Sequence, residues 1–322
     1  MTCVVPAVRL ISTIELAGSR CGTSNAVCDA SSQVRKNGAV SPVALGLVIG
    51  AAVIHAGWNA LTKRAGDPLA FLWWAGGVGT LLYLPGMLYV LSATGFPRAA
   101  LPFVLATVVL HSAYFFTLGR AYRSGDLSVV YPVARGLGVA LVPVLAFAIF
   151  DERLSPVGTL GVVLVVLGIF SLHWRRRWRS APLLAPGTGW ALATGLIIAG
   201  YSLVDRAGVS RLHPLAYIGL LELGAFLVLV PAVLSRREAL RREWRNNRVT
   251  ILVVGILSPG GYLLVLFAFQ LSKVAYVVAG REVSIVLSAL IGSLWMREGA
   301  LSQRLAGAAV VAAGVACVAL AR

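Results

Sequence analysis

Charge is what this sequence has little of. Only 12% of its 322 residues are charged, where a soluble domain carries roughly a quarter. The shortage is concentrated. No charge occurs from Asn37 to Thr62, Pro68 to Pro97, Ala99 to Gly119, Leu154 to Trp174, Ala181 to Val204, Val249 to Ser272, or Leu305 to Ala321. At about 1.5 Å of helix rise per residue, such runs cross most or all of a bilayer core of roughly 30 Å. Three further runs hold one or two ionisable groups: Leu127–Phe150 with Arg135, Leu212–Ser235 with Glu222, and Val274–Trp295 with Arg281 and Glu282. Together they make ten candidate spans. A soluble apolar core is excluded, because soluble helices would show a polar face at every turn.

Other absences narrow the function. Cys3, Cys21, Cys28 and Cys317 form no CxxC and no Cys/His metal spacing, so no metal site is expected. HExxH, GxSxG, Walker A and GxGxxG in context are all missing, so no enzyme, no catalytic residue and no cofactor is expected. A net charge of +16 raises the question of nucleic acid. The arginines sit instead at span ends, in "RRRWR" (Arg175–Arg179) and "SRREALRREWRNNR" (Ser235–Arg248), where membrane proteins set their orientation. Residues 1–39 lack a signal peptide's basic–apolar–small order. They read as a disordered tail, or as an upstream extension of the reading frame.

What is present is a duplication. "DPLAF" (Asp67–Phe71) resembles "HPLAY" (His213–Tyr217), offset by 146. The same offset takes Pro85 to Pro231, Arg135 to Arg281, Glu152 to Glu298, Gly161 to Gly307 and Gly168 to Gly314. An offset of 143 takes "AGWN" (Ala56–Asn59) onto "AGYS" (Ala199–Ser202) and Lys63 onto Arg206. The expected organisation is a first repeat over 40–173, an arginine-rich linker over 174–187 and a second repeat over 188–322. Each repeat holds five spans, an odd number, so the second enters the membrane from the opposite side. The expected fold is an all-α membrane protein, ten transmembrane helices as two inverted five-helix repeats. Secondary transporters with this design bind substrate near the midplane, where kinked helices meet. Pro132, Gly136 and Gly138 mark the fourth span and Gly280 the ninth.

Arg135 lies eight residues into its span, roughly 12 Å deep on helix rise. Inversion puts Arg281 at the equivalent depth from the other face. Two readings compete. Both guanidiniums face a cavity and bind a carboxylate or phosphate through their planar forks, or they are internal ion-pair partners, with Glu282 or Glu222 holding Arg281. Arg135 has no acid in its own span and reads as cavity-facing. Glu282 and Glu222 are the acids inside spans and the proton-coupling candidates; Glu222 aligns with Gly76, outside the duplicated pattern. His55, Trp58 and Asn59 in "IHAGWN", with Tyr131 and Tyr201, complete the substrate-binding candidates, although a lone His or Asn in a helix more often bonds to a neighbouring helix. His111, Tyr114 and Tyr262 line the same cavity or pack against neighbours. Glu152 and Glu298 read as turn and cap residues.

These residues resemble the drug/metabolite transporter superfamily, specifically its ten-span EamA-type members. "HAGWNALTKRAGDP", "SGDLSVVYPVARG", "FDERLS", "GREVS" and "MREGALSQRLAGAAVVAAGV" carry the resemblance, which covers residues 40–321. It implies an inverted-repeat exporter of amino acids or other small metabolites, often proton-coupled. The expectation is a secondary transporter moving a small anionic or zwitterionic metabolite across the bacterial inner membrane by alternating access. A drug or lipid-linked-sugar translocator is the alternative, with an intramembrane enzyme as the reading from another class. The implied partners are a small-molecule substrate and the lipid bilayer; a homodimer is compatible with the sequence. Loops after the odd-numbered spans hold 16 Lys and Arg and the other side holds 10, so the charges put the termini outside, whereas family habit puts them inside.

Overall fold

The computed structural model describes residues 41–62, 65–124, 127–172, 186–287 and 301–321. Residues 1–39, most of the 174–187 linker, Lys63 and Glu298 lie outside the described residues. Among the described residues the chain is helical, without a strand. The helices are α1 (Pro42–Thr62), α2 (Pro68–Thr94), α3 (Leu101–Ser124), α4 (Leu127–Phe150), α5 (Pro156–Leu172), α6 (Pro186–Val209), α7 (Pro214–Leu234), α8 (Arg237–Leu271), α9 (Val274–Arg281) and α10 (Leu301–Leu320). A 3-10 turn at Arg98–Ala100 leads into α3. Seven of these helices are long and apolar enough to cross a membrane by length and composition, and segments Pro156–Ser171 and Ala306–Leu320 are shorter apolar helices.

Local chemistry explains the ends. The duplicated "DPLAF" and "HPLAY" do the same job. Asp67 caps α2, its Oδ1 accepting from the backbone N–H of Leu69 and Ala70, both at 3.1 Å. His213 caps α7, its Nδ1 accepting from Leu215 N–H at 3.2 Å. A proline follows each cap at the first helical position, where its missing N–H costs nothing. Asp151, with φ 51°, ends α4 in the left-handed conformation. It delivers Glu152 to the start of α9, where Oε2 accepts from Val274 N–H at 2.9 Å. Arg206 lies 3.6 Å from the same carboxylate. Burial pushes the Glu152 carboxyl above its usual range, and Arg206 and the Val274 N–H pull it back down. Glu152 therefore acts as a cap, from another helix.

Two helices differ from the sequence expectation. The eighth span was expected to begin at Val249. Its helix α8 begins earlier, at Arg237, and is kinked at Asn247, where φ is −126° and ψ 17°. The arginine-rich segment before the kink is thus a helix of its own, folded back on α2. Glu243 is buried there, accepting from Asp67 N–H and from Asn247 Nδ2, both at 2.7 Å. The ninth span is not continuous. α9 ends at Arg281, Glu282 forms a turn, and residues 283–287 are helical again. The fourth span is unbroken.

Packing exchanges partners between the halves. α1 lies along α8 and α3 along α6, so the first helix of each half meets the third of the other. α2 packs on α7, and α5 on α10. Glycines make the last contact close. A Cβ at Gly161 would sit 2.7 Å from the Gly314 carbonyl oxygen, and one at Gly314 would sit 2.7 Å from that of Gly161. A Cβ at Gly168 would meet the Gly307 oxygen at 3.2 Å. Backbones touch here, as small residues allow in membranes. The pattern is reciprocal, because 161 maps to 307 and 168 to 314. Gly161→Ala is expected to lower thermal stability in detergent by about 1–3 kcal/mol, the usual cost of overpacking. Gly46→Ala, with nothing within 4 Å of its Cβ, is expected to leave the melting temperature nearly unchanged.

Candidate functional site

Charge inside hydrocarbon must find its partner within the protein. Two carboxylates show how. The first is Asp205 on α6, fully buried. Its Oδ1 accepts from the Thr107 hydroxyl at 2.5 Å and the Tyr217 hydroxyl at 2.8 Å. Its Oδ2 accepts from the Tyr262 hydroxyl. Thr107 gives its proton to Asp205, so its 3.0 Å contact with His111 is donated by the ring's Nδ1. That leaves His111 Nε2 facing Asp205 Oδ2 at 3.9 Å. Side chains of α3, α6, α7 and α8 meet on this one carboxylate.

The second is Glu282, in the turn that breaks the ninth span. Arg135 Nη2 lies 2.9 Å from Oε1, and Nε donates to Oε2 at 3.3 Å. Both side chains are buried. This forked pair joins α4 to the break in the ninth span, across 147 residues of chain. The sequence suggested Glu282 or Glu222 as a partner for Arg281; the ion pair falls on Arg135 instead. A neighbour in sequence points to a different side of the helix, whereas the fold packs α4 against α9.

Arg281 holds another position. Among the described residues no carboxylate lies within ion-pair distance of it. Its guanidinium sits over the Tyr262 ring, 5.6 Å from the centroid, a cation–π arrangement. It is within electrostatic reach of Tyr201, Arg135 and Glu282. Aromatic rings close the surroundings. His111 lies tilted against Tyr201 with centroids 4.3 Å apart, and Tyr114 and Tyr262 meet Tyr201 edge-on at 6.0 and 6.5 Å.

The structure therefore gathers Arg135, Arg281, Glu282, Tyr201 and His55 in one region, and adds Asp205, His111 and Tyr262. His55, on α1, is within electrostatic reach of both arginines. Trp58 and Asn59 are directed otherwise. Trp58 meets the His55 ring edge-on at 5.0 Å but packs on the apolar cluster of Phe71, Ile251 and Val254. Asn59 donates back to the His55 carbonyl at 2.7 Å. Glu222 is separate, its Oε2 beside the positions of Gly76 and Gly79 on α2. Tyr131 lies in α4, and its side chain lies outside the described residues. Asp205 was missed because the charge-free run ends at Val204, which made it look interfacial. Its spacing held the clue: Tyr201 and Asp205 are four apart on α6, as Thr107 and His111 are on α3, so each pair shares a helix face.

Breaking one member of a buried ion pair strands the other. Arg135→Gln and Glu282→Gln are each expected to cost about 3–5 kcal/mol of stability. The double variant Arg135→Met/Glu282→Met is expected to recover much of it. A double-mutant cycle of melting temperatures in detergent checks this; additive losses would mean the pair is not a unit.

The EamA-like transporter family matches residues 185–320, and the Small Multidrug Resistance protein family matches residues 86–165. The chain is similar to the spermidine export protein MdtI of Salmonella arizonae, 35% identical over 78 residues, which is 24% of this chain and 70% of that protein. Against the MdtI of Salmonella paratyphi B, identity is 30% over 98 residues, or 30% of this chain and 88% of the relative. A protein of known crystal structure shares the fold, with a TM-score of 0.68 and 18% identity over 88% of this chain and 99% of that one.

Proposed function

The chain belongs to the drug/metabolite transporter superfamily and is a multi-pass membrane transporter of that type, and from this premise we propose that it exports a small zwitterionic or anionic metabolite, such as an amino acid, across the bacterial inner membrane. The mechanism we assign is alternating access between two inverted five-helix repeats. The two family matches fall on either side of the linker's arginines, Arg175–Arg179, in support of a two-repeat chain. The reciprocal glycine contacts of α5 and α10 support a two-fold relation. A homodimer is no part of the mechanism, since both halves of the site come from one chain.

One observation carries the substrate reading. Arg281 stands at a helix break, over Tyr262, while the carboxylate next to it in sequence is committed to Arg135. A guanidinium so placed is a fork for a carboxylate. The tyrosine- and histidine-lined Asp205 beside it suits the ammonium end of a zwitterion. Arg135 positions Glu282 in this scheme. A second reading has its own support. The MdtI relatives are named for spermidine export, and Asp205 suits a polyamine as well as an amino acid. A drug or lipid-linked sugar lacks a matching pair of charged groups here. For coupling we favour Glu222, a carboxylate within α7 with no ion pair among the described residues, while Glu282 is engaged.

The test is a thermal-shift screen of purified protein with amino acids, dicarboxylates and spermidine, followed by flux in proteoliposomes. A ligand that binds only the folded chain raises its melting temperature. An amino acid or dicarboxylate is expected to do so, and Arg281→Gln to weaken that ligand by 2–5 kcal/mol, about thirty-fold or more. Lys at 281 is expected to restore only part. A shift with spermidine alone, unaffected by Arg281→Gln, would overturn the anion reading in favour of the polyamine one. In the same vesicles Glu222→Gln is expected to remove accumulation driven by a pH gradient while exchange of substrate persists. Loss of both would make Glu222 structural.

A further inference from the structure

The arginine-rich start of α8 does more than mark a side of the membrane. Arg236, Arg237, Arg241, Arg242, Arg245 and Arg248 are all exposed, with Glu238 the only exposed acid between them. The other acid, Glu243, is buried and already bonded to the start of α2. Arg237, Arg241 and Arg245 follow at spacings of four before the kink at Asn247, so they form one stripe along that helix, and Arg248 follows just past the kink. We propose that this stripe is a binding surface for the headgroups of anionic phospholipids, and that lipid bound there stabilises the folded transporter.

The surroundings place the stripe at headgroup level. Just past the kink at Asn247, Val249, Leu252, Val253 and Ile256 are exposed apolar residues, as a lipid-facing helix requires. Leu234, just before the segment, is likewise exposed. Between these two apolar edges lies Trp244, partly exposed and tilted against Trp74 with centroids 4.7 Å apart, in the position aromatic residues take at a membrane interface. The segment is also held rigidly. Trp74 Nε1 donates to the Leu240 carbonyl at 3.1 Å, and Arg236 pairs with Asp67 at 3.1 Å. The stripe is therefore pre-formed on the α2 start, so a headgroup bound to it pins α2, α7 and α8 together. Clustered arginines next to a span are attracted to anionic lipid, each by roughly a fivefold gain in affinity.

The test uses the full chain. It is melted in nanodiscs of phosphatidylcholine alone and of phosphatidylcholine mixed with phosphatidylglycerol, and short-chain phosphatidylglycerol is titrated against it in detergent. The mixed bilayer is expected to raise the melting temperature, and raised salt to reduce the gain. Arg241→Gln/Arg245→Gln is expected to weaken the titrated lipid by about twenty-five-fold and to remove most of the gain. Arg241→Lys/Arg245→Lys is expected to keep most of it, which separates charge from misfolding. Arg98→Gln serves as the control, since Arg98 follows the far end of α2. The proposal is overturned if the glutamine variant keeps the full gain, if Arg98→Gln loses as much, or if inorganic phosphate in detergent stabilises the chain as well as the lipid does.

Discussion

A hydrocarbon layer offers a charge no partner, and the central helix crossings of this protein answer that constraint. One unpaired charge at mid-membrane costs about 2.5–3.5 kcal/mol on insertion scales. Asp205 escapes the cost by collecting hydroxyls from α3, α7 and α8. Glu282 and Arg135 escape it by meeting each other, which fastens α4 to the turn after α9. These two sites tie α3, α6, α7 and α8 together at one point and α4 to the turn after α9 at another. The apolar surface around them is interchangeable by comparison, since lipid is as apolar as leucine and gives helices little reason to associate.

The exchange of helices between halves places both polar sites across the divide. In each half the first helix needs the third helix of the other, and the last helices meet glycine to glycine. Neither half buries its polar groups alone. Asp205 belongs to the second half, yet Thr107, one of its donors, belongs to the first. Arg135 and Glu282 are likewise split between halves. A chain built this way cannot move its halves as closed bodies without breaking bonds at the centre.

Much of this was legible in the sequence. The charge-free runs marked the helices because membrane spans tolerate few ions, and the repeated Asp67–Pro68 and His213–Pro214 marked two helix starts because cap and proline act locally. The glycines at 161, 168, 307 and 314 stood out in the duplication, and the structure uses them for a close contact. Pairing was another matter. Periodicity assigns a residue to a face but not to a partner, so the acid beside Arg281 in sequence looked like its mate when it serves Arg135. Asp205 was hidden by a rule of thumb that ends a span at its first charge; α6 continues to Val209. The start of α8 was read as loop charge because arginines at a span end look alike whether or not they are helical. Only Leu240 and Glu243, one turn apart and buried, reveal the inner face.

The carboxylates of the spans differ in what they can give up. Separating Arg135 from Glu282 would leave two ions in a low dielectric, so that pair resists any opening. Asp205 is held by hydroxyls and faced by the His111 imidazole. A hydroxyl that leaves carries no charge, and an incoming ammonium would replace its bond with a stronger, charge-assisted one. Arg281 lies between the two carboxylates, held by a ring face, an attraction weaker than a forked ion pair. Its guanidinium is the charge that can take on a new partner without leaving an old one stranded.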